Sequence, residues 1–113
     1  MSARRHLPDL RAGTTATLTS GDLTIEATLS RFEDGAPGEL FLRAPMSGST
    51  EAGLLDGLAV AVSIALQHGA PLAGIAEKFK GTKFPPHDGV GGHTSILDAL
   101  GRWLLDANAR RKT

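Results

Sequence analysis

Beyond the first dozen residues the chain alternates apolar and polar positions. In LTIEATLS, Leu23, Ile25, Ala27 and Leu29 fall on one side of an extended backbone, and Thr24, Glu26, Thr28 and Ser30 on the other. That period of two marks a half-buried strand. Ser20, Gly21 and Asp22 are turn formers between it and the shorter TATLT, and EDGAPG separates it from ELFLRA. Short turns between three such segments predict an antiparallel meander. At Thr50 the period lengthens to that of an α-helix. Leu54, Leu55, Leu58, Val62, Ala65 and Leu66 are expected on one stripe, with Val60 and Ile64 on a second, opposing one. A helix apolar on two sides needs two covers: the sheet for one, and the remaining helices or a second subunit for the other. Gly69 suits a left-handed helix end and Pro71 the start of a short helix, PLAGIAEKF. KGTKFPPHDGVGGH, with two prolines and four glycines, predicts a loop. The last helix is TSILDALGRWLLDANARR, with Ile96, Leu97, Leu100, Trp103 and Leu104 on its apolar stripe and arginines at its end. The expected class is α+β: a three-stranded antiparallel meander, a long central helix, a short helix and a C-terminal helix. Residues 1–13 read as an extended or mobile arm, and residues 14–113 as a single domain.

Composition narrows the function classes. The 113 residues carry 12 Lys and Arg against 12 Asp and Glu, so no global field draws the chain to nucleic acid or an acidic membrane. With no cysteine, disulfides, thiolate ligands and thiyl chemistry are all absent. The charged N-terminus lacks a leader-like apolar segment, and Ser63 and Gln67 interrupt the longest apolar run. A cytoplasmic protein without a membrane span is expected.

Four sets of residues invite a chemical reading. Gly48, Ser49 and Thr50 precede the long helix, where backbone N–H groups and the helix dipole can hold an anion. The same residues also read as a helix cap, with Ser49 or Thr50 at the cap and Glu51 in the first turn. His6, His68, His87 and His93 show no helical metal-ligand spacing, although His87, Asp88 and His93 share one loop. No nucleophile, base and orienting group stand in a recognisable pattern, so the chain is not expected to be an enzyme. Lys78, Lys80 and Lys83 interleave with Phe79 and Phe84, the makings of a small stacking surface for single-stranded nucleic acid or of a helix end pinned by core phenylalanines.

The blocks DGAPGELF, GSTEAGLLDGLA, SIALQHGAPL, EKFKGTKFPP and TSILDALGRWL, in that order, resemble the C-terminal TSCPD domain of adenosylcobalamin-dependent (class II) ribonucleotide reductases. The resemblance runs from Arg4 to Leu105. In those reductases the radical chemistry, the cobalamin site and the active-site cysteines belong to a separate, larger barrel. Where shorter relatives carry a literal Thr-Ser-Cys-Pro-Asp, this chain has Thr94, Ser95, Ile96, Leu97 and Asp98. The resemblance implies a non-catalytic accessory or regulatory module without a cofactor or metal, which binds a protein partner such as a ribonucleotide reductase subunit, or a small anion such as a nucleotide. An anion would sit at the two helix starts, on Gly48, Ser49, Thr50, Thr94 and Ser95, with Lys80 and Lys83 to neutralise phosphate. The doubly apolar central helix points to a homodimer. The alternative is a nucleic-acid-binding protein using residues 78–84 together with Arg4, Arg5, Arg110 and Arg111.

Overall fold

The computed structural model describes residues 3–7, 12–45, 48–89 and 92–110. Three strands, β1 (Gly13–Ser20), β2 (Leu23–Arg31) and β3 (Pro37–Arg43), are followed by α1 (Thr50–Gln67), α2 (Leu72–Phe79) and α3 (Ile96–Ala109). The sheet is the expected antiparallel meander in the order β1-β2-β3. Ser20 pairs with Leu23 across a two-residue turn, whose first position, Gly21, has φ +59°. A side chain rarely adopts that backbone, which is why a glycine stands there.

Alternation does what it predicts. Ile25, Ala27, Leu29, Leu40 and Leu42 are buried under the helices, while Glu26 and Arg43, paired across the strands, face outward. α1 lies on β3, α2 packs along α3, and α3 reaches back to β1. Leu100 and Leu104 of α3 are fully enclosed, each contributing about 2 kcal/mol of apolar burial. The N-terminal segment is held against the body: the Arg5 N–H donates to the Gln67 carbonyl at 2.8 Å, and its guanidinium lies 3.9 Å over the Phe32 ring. Arg31 ties the end of β2 to the end of α3 by donating to the Ala107 carbonyl at 2.7 Å.

α1 departs from expectation at one position. Leu54, placed by its period on the core stripe, is 71% exposed. The core-facing arc is centred on Leu55, Ala59, Val62 and Leu66, and a residue adjacent to Leu55 is turned about 100° away from it. Ser63 and Gln67, the polar interruptions of its apolar run, are both buried. Both are spent on the outer edge of β3. Ser63 Oγ accepts from the Leu40 N–H at 2.9 Å and donates to the Leu40 carbonyl, and Gln67 Nε2 donates to the Gly38 carbonyl at 2.9 Å. Four residues apart, they stack on one helix face and satisfy strand groups that would otherwise be left without partners. Ser63→Ala is expected to cost about 2 kcal/mol, because it strands the buried Leu40 N–H. Urea unfolding checks this, and a loss below roughly 0.5 kcal/mol would mean that the edge finds another partner.

α1 ends as its sequence suggests, with Gly69 at φ +93° and the Ala70 N–H bonded to the Ala65 carbonyl at 2.9 Å, a left-handed cap. By length and composition this helix could cross a membrane, but its buried face and its hydrogen bonds to β3 make it a core helix here.

Candidate functional site

The residues expected to hold an anion fall into two groups. Gly48, Ser49 and Thr50 open α1 beside a cleft of about 450 Å³ whose lining includes Leu42, Arg43, Ser49 and Asp56. Ser49 is the N-cap, and its hydroxyl accepts from the Ala52 N–H at 3.1 Å. Thr50 is the first helical residue, followed by Glu51. Lys80, Lys83, Thr94 and Ser95 meet instead where α2 ends and α3 begins. None of these four lines the cleft at the start of α1.

That second corner is built as a closed knot of polar groups. Ser95 caps α3, its hydroxyl accepting from the Asp98 N–H at 2.9 Å and lying 2.8 Å from the Thr82 hydroxyl. Thr94 Oγ1 donates to the Thr82 carbonyl at 2.7 Å. Asp98, in the first turn, turns its carboxylate back toward the loop. It accepts from the Gly81 N–H at 2.7 Å, the Thr94 N–H at 3.2 Å and Arg102 Nε at 2.9 Å, with His93 Nδ1 3.5 Å away. A capping serine with an acid three residues on is a familiar helix start, here extended to hold the preceding helix as well. Burial would raise the Asp98 pKa, but the Gly81 and Thr94 N–H groups and the Arg102 guanidinium outweigh it and hold the carboxyl at about 2. Asp98 is therefore a buried, charged pin. Ile96 is buried and Leu97 half-buried against the core.

The intervening loop is irregular, as its composition predicts, and it is pinned by a second acid. Asp88 accepts from the His93 N–H at 2.9 Å and from the Gly21 N–H at 2.8 Å, bonds that lower its pKa. Ser20 donates to the Pro86 carbonyl at 2.8 Å, so the loop is fastened to the β1–β2 turn. Among the described residues no three His, Asp or Glu side chains gather closely enough to hold a metal ion.

Lys80 and Lys83 are exposed at the mouth of this corner. Thr94, Ser95 and Asp98, by contrast, direct their polar atoms into the fold. Asp98, in the first turn of α3, would ordinarily partner only its own helix dipole. Its bond to Gly81 depends on α2 and α3 lying side by side, which no local pattern announces. Gly101 was also missed: a Cβ there would stand 2.6 Å from the Lys80 nitrogen and 2.7 Å from the Ala76 carbonyl oxygen. The two helices touch backbone to backbone at that point.

The other concentration of chemistry is apolar. Among the described residues the exposed large hydrophobics are Phe41, Leu54, Val60, Ile64 and Phe84. Phe41, Val60 and Ile64 line one groove of about 530 Å³ between β3 and α1, and Leu54 continues the exposed side of α1. The opposing stripe expected at Val60 and Ile64 is therefore exposed. A separate cleft of about 530 Å³, whose walls include Arg5, Phe32, Gln67, His68, Pro71 and Asn108, holds none of the residues expected to bind an anion.

The sequence is similar to that of known proteins. The TSCPD domain matches residues 2–108. The vitamin B12-dependent ribonucleotide reductase of Rhodopirellula baltica is 36% identical over 110 residues, covering 89% of this chain and 10% of the reductase. That of Streptantibioticus cattleyicolor is 39% identical over 83 residues, 74% of this chain and 14% of the other. That of Agrobacterium fabrum is 35% identical over 107 residues, 89% of this chain and 8% of the other. The chain thus spans only a small part of the length of these relatives. No solved structure matches it. The blocks around the strand turn, the central helix and the Thr94 to Asp98 corner, the residue range matched and the reductase relatives converge on one assignment: this chain belongs to the TSCPD domain family.

Proposed function

We propose that the chain is a non-catalytic accessory module that works through protein contact, with itself and with the body of a vitamin B12-dependent ribonucleotide reductase. The observation that carries this reading is the placement of its spare surface. Four of the five exposed large hydrophobic residues among those described lie on α1 and the adjoining β3, whereas the hydroxyls and the carboxylate at the start of α3 bond within the fold. Exposed apolar area gathered on one side marks an interaction surface. The reductase enters as partner because the relatives carrying this domain are reductases. A nucleotide at the helix starts is the weaker reading, since Ser49 and Ser95 cap their own helices and only Lys80 and Lys83 are left to meet phosphate.

The test is titration of the intact chain into a vitamin B12-dependent ribonucleotide reductase truncated before its own TSCPD domain, followed by calorimetry and size-exclusion chromatography. A complex in the micromolar range or tighter is expected, with a negative heat-capacity change from apolar burial. Its absence, with a thermal shift on adding deoxynucleotides, would replace the protein partner with an anionic ligand.

A further inference from the structure

The outward side of α1 carries more order than an incidental apolar patch requires. Thr50, Leu54, Gly57, Ala61, Ile64 and His68 follow one another at spacings of four, three, four, three and four, the 3.5-residue repeat of a helix–helix seam. All but His68 are exposed, and none of the first five carries a charge. The core-facing Leu55, Ala59, Val62 and Leu66 form a separate seam already taken by the sheet. A single chain has no use for two seams. Around Gly57 there is nothing within 4 Å of where a Cβ would stand, so a neighbouring helix has room to approach at the close end of the usual 8–10 Å range.

We propose that two copies of this chain pack antiparallel through α1 about a two-fold axis level with Ala59, Leu54 of one copy against Ile64 of the other and Gly57 against Ala61. This rests on the reading of that side as a contact surface. The seam is self-complementary under that axis, as a two-fold interface must be. Large meets large at Leu54 and Ile64, and small meets small at Gly57 and Ala61. Thr50 falls opposite His68. Opposed helix dipoles add to the preference for an antiparallel pair.

Because the chain has no cysteine, engineered thiols report the geometry directly. Leu54→Cys combined with Ile64→Cys places the two thiols about 15 Å apart along one helix, too far to bridge within a chain. Sedimentation of the unmodified chain is expected to give twice the chain mass at micromolar concentration. On oxidation the double variant is expected to run as a covalent dimer on a denaturing gel, and each single variant as a monomer. Gly57→Leu should weaken association at least tenfold while leaving the circular dichroism unchanged. A monomer in sedimentation, or single variants that cross-link as fully as the double one, overturns the proposal. The reductase titration separates this failure from that of the broader reading: a monomer that still binds the truncated reductase sinks only the dimer, and a cross-linked dimer that ignores it sinks only that partner.

Discussion

Gly101→Ala is expected to destabilise the chain by about 3 kcal/mol or more, beyond the usual cost of one extra methyl in a core. The new Cβ would stand 2.6 Å from the Lys80 nitrogen, 2.7 Å from the Ala76 carbonyl oxygen and 3.0 Å from Phe79 Cβ. Two of these three neighbours are backbone atoms at the end of α2, which cannot swing aside as a long side chain can. Either α2 moves off α3, breaking the bond from Gly81 to Asp98, or α3 shifts and disturbs Leu100 and Leu104, both fully buried. For a domain whose whole stability is of order 5–15 kcal/mol, the melting temperature should fall by roughly 10 °C or more. Gly74→Ala supplies the opposite sign. A Cβ there meets nothing closer than Pro71 Cγ at 3.6 Å, so the better helix former should raise stability by about 0.5–1 kcal/mol. Thermal and urea unfolding of both variants decide the matter, and equal stabilities would mean that α2 and α3 are not in backbone contact.

The second large effect belongs to Asp98. Its carboxyl is 1% exposed and holds three donors from the loop and from its own helix. Asn in its place puts an amide N–H where an oxygen now accepts from Gly81 or Thr94, leaving a buried donor facing a donor. The expected loss at neutral pH is about 3 kcal/mol. The pH dependence follows from linkage. The folded-state pKa is depressed from 3.8 to about 2, so the unfolded chain takes up the proton first as acid is added. The stabilisation, about 2 kcal/mol, is present in full above the unfolded value near 3.8 and is lost as pH falls through about 2. Urea unfolding of the native chain and of Asp98→Asn at pH 6 and near pH 2 isolates this contribution as a difference of differences. If the two chains lose the same stability over that interval, Asp98 is not the group that titrates.

How far the sequence alone reached depends on how local each interaction is. The strands were legible because alternation records a sheet with one buried face, and Ile25, Ala27 and Leu29 do lie beneath the helices. The helix ends were legible because caps are local: Ser49 and Ser95 accept from N–H groups three residues ahead. Leu54 was misplaced because a helix with two apolar seams offers no contrast to show which one meets the sheet. Ser63 and Gln67 read as interruptions because a polar residue bonded to a strand edge looks, along the chain, like one facing water. The candidate site suffered in the same way. Thr94 and Ser95 were picked out as helix-start hydroxyls, but Thr82, which bonds to both of their hydroxyls, lies 12 and 13 residues back along the chain. Distant pairs of that kind leave no period to read.

The seal that Ser63 and Gln67 place on β3 bears on how such a domain is inherited. A bare strand edge recruits whatever extended chain lies nearest, so a sheet with one is safe only beside the neighbour that covers it. At β3 this fold supplies its own cover from α1. A segment so closed can be joined to a large reductase, or cut loose from one, without a new strand-pairing hazard opening at that edge. At β3 that self-sufficiency rests on one hydroxyl and one carboxamide.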